Sequence, residues 1–576
     1  MEREIACNSE REALVSVRMT YSPRFVAAGA LALLVAGHSA ALADVKVPAI
    51  FADHMVLQQD MPVPVWGTAD AGEKVKVTVA GPKGEPGKSA TATTGTDCKW
   101  SVKLPRLAAT APGTTTTMTV EGKNKLILQD VLIGEVWVCS GQSNMEFGAG
   151  GEYNAVTELP KANDVGMRFF FVSKNAAHSP AAEAAGVWKV CTPQQTGNFS
   201  GVGYYFGKEL RQKLNRPVGL IGTYWGGTPA EAWTSLEGLG KDPALVHFVD
   251  RWKQLDAGYE KAVADYPGLK SAYDAALKDW NDKYGAAYAA AEAQWRAEAE
   301  KAFQAKASPV PRPSPPVPKP SEIQQPSGGP NAPATLYNGM LKPLEPYAIR
   351  GAIWYQGEAN VGRADEYRTL FARMIKDWRE TWGEGDFPFL WVQLAGFNPG
   401  DTVAWPGLRE AQTQTLSLPK TGMATAVDIG LPDNIHPKDK EDVGKRLALA
   451  ARHVAYGEDL VYAGPMFQEV TKDGKDGTGL RVKFQDIGGG LEIGKSPWVG
   501  PHAVALPTDR LMGFELKAAD GSWKAAEAKI EGKTVVVQSA DVPAPTEVRY
   551  DWNSYPQGNL YNKEGLPAVP FHGKAE

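Results

Sequence analysis

The chain has 576 residues, 43% hydrophobic and 22% charged, a balance ordinary for globular protein and a length beyond one core. Lys+Arg 61 against Asp+Glu 66 leaves a formal net charge of −5 with no concentrated basic face, which argues against nucleic acid as partner. Two to four domains are expected.

The first 43 residues read as an N-terminal extension and export signal. Arg24 precedes the apolar stretch Phe25–Gly37, and Ala41-Leu42-Ala43 is a small-x-small cleavage site before Asp44. The stretch is too short for a permanent bilayer-spanning helix, and no other segment is long and apolar enough, so no stable membrane insertion is expected after cleavage. The alternative is an uncleaved anchor. Residues 1–18 are polar, so Met19 competes with Met1 as the true start. A periplasmic or extracellular location follows. With Cys7 ahead of the signal, Cys98, Cys139 and Cys191 remain, so at least one mature thiol is unpaired, and their spacing matches no zinc pattern.

Residues 44–130 show short β-type runs broken by Gly, Pro and Asp. Period-two alternation appears in 62–66 and 74–79 and continues in 116–120 and 126–128, reading as a small N-terminal β-sandwich. At Val131 the character changes. Apolar strand-like runs (134–139, 167–172, 218–224, 349–355, 389–394 and 423–429) alternate with helical stretches such as 202–214 and 367–382. That alternation predicts an α/β domain with a largely parallel sheet, split into 131–238 and 334–462. Between the halves, 239–307 reads as one or two long exposed helices, and 309–333, dense in Pro, Ser and Gly, as an extended connector. Residues 463–576 return to β character.

Three strings carry chemistry. In Gly134–Met145 an apolar strand runs into a Gly-containing turn that ends in Ser143. A serine so placed sits at the carboxyl end of a parallel strand, with its own N–H available to an oxyanion. A helix N-cap is the alternative for Ser143. In Asp433-Asn434-Ile435-His436-Pro437 an acid three residues before a histidine can fix its tautomer and leave the other nitrogen free as a base. Pro437 then opens a helical pattern that stops at Gly457. In Trp354-Tyr355-Gln356-Gly357-Glu358-Ala359-Asn360, Gln356 offers a side-chain amide to an oxyanion. Glu358 lacks a second carboxylate in a comparable setting, so a supporting role is preferred over a glycosidase reading.

Together these strings resemble the bacterial sialate O-acetylesterases of the SGNH-hydrolase superfamily. Gly141–Met145 is similar to the family's nucleophile block, Trp354–Asn360 to its third block and Asp433–Pro437 to the block supplying acid and base. Further similar strings are Tyr224–Pro229, Glu231–Trp233 and Leu336–Met340, and the resemblance spans about residues 45–575. It implies a flavodoxin-type parallel sheet with flanking β-sandwich-like regions, no cofactor and no metal, and an acetylated sugar or glycan as substrate. Ser143, His436 and Asp433 would be catalytic, with Asp428 the fallback acid. Ser143, Gly203 (or Gly201) and Gln356 would form the oxyanion hole.

Gln142, Trp225, Trp354, Tyr355 and Asn360 lie in or beside these strings and are the candidate substrate-binding residues. For the aromatic ones, core packing is the alternative. Acetylated xylan or another plant glycan fits the same chemistry as sialic acid. A metal-dependent deacetylase would need a histidine cluster, which the eight histidines do not form. A carbohydrate-binding protein without activity leaves the three strings unexplained. The sequence carries no reading of oligomeric state.

Overall fold

The computed structural model describes residues 44–81, 85–304, 310–398, 404–474, 477–494 and 507–575; the expected export signal lies outside them. The chain opens with β1 (Val56–Gln58), β2 (Val63–Thr68), β3 (Lys74–Val79), β4 (Lys88–Thr93), β5 (Lys99–Leu104) and β6 (Thr116–Glu121). Alternation decides their faces. In β3, Val75, Val77 and Val79 are buried while Lys74 and Lys76 are exposed, and β5 buries Trp100, Val102 and Leu104 in the same way. β2 pairs with β5, and β3 lies between β4 and β6, all antiparallel.

β7 (Lys125–Gly141) joins this region to the next without a break. Its first six residues alternate and pair antiparallel with β6. From Val131 onward every residue is buried, as expected for a strand covered on both faces. The expected boundary at 130 therefore falls inside one strand. Val65, Val77 and Val120 of the N-terminal strands share one apolar cluster with Val136, Phe206 and Ile353.

The central sheet continues with β8 (Asp164–Val172), β9 (Gly186–Cys191), β10 (Val218–Tyr224), β11 (Gly351–Tyr355), β12 (Phe389–Gln393) and β13 (Thr421–Thr425). The order is β13-β12-β11-β7-β10-β8-β9, parallel throughout except for β9 at the edge. The molecule is thus mixed α/β. The chain builds one flank of β7 with β10 and then crosses to the other with β11. Such a reversal opens a crevice beyond the carboxyl ends of the strands.

The helices that matter for this crevice are α1 (Ser143–Glu146), α2 (Gly201–Leu214), α3 (Val246–Trp280), α4 (Ala286–Gln304), α5 (Ala364–Trp382), α6 (Ala404–Gln414) and α7 (Lys440–Val454). α7 starts three residues after Pro437, not at it: Asp439 is the cap, its carboxylate accepting the Asp442 N–H at 3.0 Å. α7 crosses α2 closely because residue 444 is glycine; a Cβ there would lie 2.8 Å from the Phe206 nitrogen.

α3 and α4 run on through a π-helical turn at Asn281–Gly285. Residues 310–319 return along this rod, with Trp295 Nε1 donating to Val310 O and Trp280 Nε1 to Val317 O, both at 2.8 Å. His178 stacks on Tyr259 with ring centres 3.8 Å apart and pairs with Asp256 at 2.8 Å, fixing the foot of the rod to the core. The string Leu336–Met340 is wholly buried there, and Asn338 Nδ2 donates to His178 O at 2.9 Å.

The C-terminal region holds two four-stranded antiparallel sheets. One contains Met466–Asp473, Gly479–Gln485, Thr534–Gln538 and Glu527–Glu531; the other contains Trp523–Ala525, Phe514–Lys517, Glu547–Tyr550 and Phe571–Lys574. Leu480, Val482, Leu516, Val535 and Val548 belong to a cluster distinct from the main one. The buried Arg409 of α6 ties this region down, donating to Asn553 O and Ser554 O at 2.8 and 2.9 Å.

Candidate active site

The crevice is built from three strand-to-turn transitions, at the ends of β7, β10 and β11. β7 ends at Gly141, whose φ of +138° is open only to glycine, and a Cβ there would lie 2.2 Å from Tyr355 O. The chain therefore turns sharply against β11 and delivers Ser143, half-buried, to the first position of α1. Backbone N–H groups in that first turn have no intrahelical acceptor, so the Ser143 N–H is free of the helix ladder. Among the described residues the Ser143 hydroxyl makes no hydrogen bond.

The turn is braced from two sides. Gln142 Oε1 accepts the N–H groups of Gly357 and Ala359 at 3.3 and 3.2 Å, coupling it to the turn after β11. Glu146 accepts the Gly226 N–H at 2.6 Å and Lys174 Nζ at 2.5 Å, coupling it to the turn after β10. Gly226 then lies against the serine, and a Cβ built there would stand 3.3 Å from Ser143 Cβ. Trp225, half-buried beside it, carries Lys174 Nζ 5.2 Å above its ring.

The histidine loop reaches the same place. Asn144 Nδ2 donates to Ile435 O at 2.9 Å, so the residue before His436 is bonded to the residue after Ser143. The His436 ring is half-buried and stacks on Phe147 at 6.5 Å. Burial, and then the nearby Lys440 ammonium, hold its pKa below the usual histidine value, so the ring is uncharged near neutrality. No hydrogen bond joins Ser143 to the His436 ring. Asp433 is exposed and forms no hydrogen bond to the His436 ring. Asp428 is engaged by Arg446 at 2.7 and 2.8 Å and by the Tyr561 hydroxyl at 3.1 Å.

Several expected roles need correction. The Gly203 N–H donates to the Ser200 hydroxyl at 3.0 Å as the cap contact of α2, and the Gly201 N–H donates to Phe147 O at 2.8 Å, so neither faces an oxyanion. The sequence order suggested β8 as the second strand of the site, but β10 is the strand beside β7. The glycines at its end, Gly226 and Gly227, are the ones near Ser143. Gln356 is fully buried, its amide donating to Thr228 O at 3.2 Å and Asn360 Oδ1 at 2.6 Å while Tyr367 donates to its Oε1.

Of the candidate substrate-binding residues, Trp354 is core, packed edge-on against Trp233 and Trp378, and Tyr355 is equally buried. Asn360 is a buried strut between Gln356, the Ala230 N–H and Glu231. Gln142 is the buried brace described above. Trp225 alone of the five reaches the crevice surface.

Two further residues were missed, Glu146 and Lys440. The Tyr224–Pro229 string was the available signal for the first. For Lys440 the available signal was its register, which places it with Val443, Leu447 and Ala451 on the buried face of α7.

Among the described residues no group of three or more His, Cys, Asp or Glu side chains is placed to hold a metal ion. No helix among them is long and apolar enough to cross a membrane. Cys139 and Cys191 are free and buried, and burial raises both thiols above their ordinary range, Cys139 far above it.

Comparison with known proteins gives the constellation a family. The model of the family described as carbohydrate esterase, sialic acid-specific acetylesterase matches residues 133–298 and 322–453, the segments that carry the three strand-end motifs. The rat sialate O-acetylesterase is 31% identical over 459 residues, covering 73% of this chain and 75% of its own. The human sialate O-acetylesterase is 28% identical over 561 residues, covering 90% of each. The crystal structure of a carbohydrate acetylesterase from Xanthomonas citri superposes with a TM-score of 0.71 at 33% identity, covering 92% of this chain and 99% of that one. With its Ser143 turn, His436 loop and parallel core inside the matched segments, the chain belongs to the carbohydrate esterase, sialic acid-specific acetylesterase family.

Proposed function

We propose that the protein removes O-acetyl groups from sialic acid by acyl transfer through Ser143, with His436 as general base. The observation that carries this reading is the bond from Asn144 Nδ2 to Ile435 O, which ties the nucleophile turn to the histidine loop across the crevice. His436, uncharged near neutrality, takes the Ser143 proton as Oγ forms its bond to the acetyl carbonyl carbon. The resulting oxyanion is met by the Ser143 N–H and by the N–H of Gly227, which is exposed with φ +75°, the Gly226 N–H being held by Glu146. Collapse breaks the bond to the sugar oxygen, which leaves with the proton from His436. Water, deprotonated by the same ring, then releases acetate and restores Ser143. Asp433 is assigned the orienting acid by its spacing from His436 and because Asp428 is held by Arg446.

The sheet supports an SGNH-type reading. With β8 and β9 set aside, β10-β7-β11-β12-β13 follows the flavodoxin-like order 2-1-3-4-5. The separate C-terminal apolar cluster supports treating the region from 463 onward as its own unit. The apolar stretch Phe25–Gly37 with Ala41-Leu42-Ala43 supports export, to be checked by N-terminal sequencing of the mature protein. Trp225, beside Ser143 and at the surface, is the residue we assign to stacking on a sugar ring.

The test is acetate release from 9-O-acetylated sialic acid and from acetylated xylan, with Ser143→Ala as control. Release from the sialic acid, lost in the variant, is expected. Release from xylan alone would keep the serine mechanism and move the substrate to plant glycans; release undiminished in Ser143→Ala would refute the mechanism.

A further inference from the structure

Lys440 is fully buried at the start of α7, and the sites of most lysines offer no parallel. Its stem packs against Gly201, where a Cβ would come within 3.1 Å of Lys440 Cβ. Its Nζ donates to Asn144 Oδ1 at 2.6 Å and lies 5.0 Å from the Phe147 ring centre and 5.4 Å from that of Tyr355. Asn144 in turn donates to Glu358 Oε1 at 2.6 Å and to Ile435 O at 2.9 Å. One amide, flanking the nucleophile, thus joins a buried cation, a buried carboxylate and the histidine loop. Glu358 Oε2 is buried without a hydrogen-bond partner, so the carboxylate faces the cluster rather than solvent.

An isolated ammonium at this depth is strongly unfavourable, and a structural lysine would ordinarily be replaced by an apolar side chain at little loss. Here the cation has a place in the proposed chemistry. Both groups sit over the Phe147 ring, Lys440 Nζ 5.0 Å from its centre and the His436 ring stacked on it at 6.5 Å. We propose that Lys440 is a positioning residue: through Asn144 it fixes the nucleophile turn to the histidine loop, and its buried charge keeps the His436 ring in its basic, uncharged form. This rests on the reading of His436 as general base.

The electrostatics agree in sign. The charged groups acting on Lys440 are Glu358 from the turn after β11, Asp439 beside it on the chain and Glu152 from the segment after α1. They favour its cationic form, while burial pushes its pKa down to about 7. On His436, burial acts first and the Lys440 charge second, both lowering its pKa; Asp433 on its own loop is exposed to solvent. Removing the positive charge should therefore raise the His436 pKa and move the acid limb of the rate profile to higher pH.

The experiment combines the pH dependence of kcat and kcat/KM with NMR titration of the His436 ring, assigned through a His436→Gln variant. The proteins are wild type, Lys440→Met and Lys440→Arg. In the wild type His436 should titrate below the free-histidine value of about 6.5. Lys440→Met should raise that pKa by about half a unit or more. It should also lower kcat on the order of ten- to a hundredfold with KM little changed. Lys440→Arg should keep the low pKa.

An unchanged His436 pKa in folded Lys440→Met would overturn the proposal. So would a wild-type value at or above 6.5, which decides the matter even if neither variant folds. Full acetate release by His436→Gln would instead sink the general-base reading, while the titration still decides whether the two groups are coupled.

Discussion

The crevice at the ends of β7, β10 and β11 and the helical rod of α3 and α4 place their polar groups in opposite ways. In the crevice Asn144, Gln356, Asn360 and Lys440 are buried, and the bonds of Asn360 to Glu231, of Lys440 to Asn144 and of Asn144 to Ile435 each join segments more than a hundred residues apart. Along the rod the ion pairs include Lys270 with Asp274, Lys278 with Asp282 and Asp279 with Lys283, these three exposed and four residues apart. Exposed pairs of that kind add little and are screened by salt. Buried polar networks are over-determined, so losing one member strands its partners. A substitution in the crevice should therefore act on chemistry or on global stability, and one on the rod only locally.

That contrast can be broken at several points. The largest effect is expected at His436. His436→Ala should lower kcat by about 10²–10⁴-fold with an unchanged melting temperature, because its ring makes no hydrogen bond among the described residues. Steady-state kinetics and thermal melts check both halves. Next comes Gly141→Ala, which meets both an unfavourable φ and the Tyr355 carbonyl. A loss of about 2–4 kcal/mol in denaturant unfolding is expected. A neutral result would mean that the turn delivering Ser143 is looser than described.

Smaller effects sharpen the same comparison. The acid limb of kcat/KM should lie below about 6.5, since burial and Lys440 both depress the His436 pKa and the ring must be uncharged to act as base. Activity then persists as pH falls toward that depressed value and is lost below it; a limb above 6.5 would reverse the sign. Trp295→Phe removes the indole hydrogen bond to Val310 O and should cost about 1 kcal/mol locally. Limited proteolysis should cut the 310–319 strap faster while kcat stays unchanged. A fall in kcat would show that the rod communicates with the crevice.

Much of this was legible in the sequence because it depends on period and local turn chemistry. β3 and β10 have the ends that alternation and apolar runs predict. Ser143 was readable because a strand, a glycine with positive φ and a short helix follow one another in twelve residues.

What was not legible depends on lateral order in the sheet. Chain order suggested that the helix after β8 carries the second oxyanion donor, yet β10 is hydrogen-bonded to β7, and Gly226 rather than Gly203 lies against the serine. Gln356 was read as an oxyanion donor, and Trp354 and Asn360 as substrate-binding, because they lie in the string at the end of a strand. Each is buried instead, Trp354 packing on Phe371 and Trp378 of α5 and Gln356 accepting from Tyr367. Lys440 shows the same limit in another form, since the Asn144 amide that its buried ammonium meets lies 296 residues away in the chain.

The central claim is that Ser143 is the acylated residue, and the most direct test is active-site labelling with a fluorophosphonate followed by peptide mapping. One adduct per chain is expected, on the peptide carrying Gln142-Ser143-Asn144, absent in Ser143→Ala and much slower to form in His436→Ala. An adduct on a different serine, or undiminished acetate release with Ser143 left unlabelled, would contradict the account.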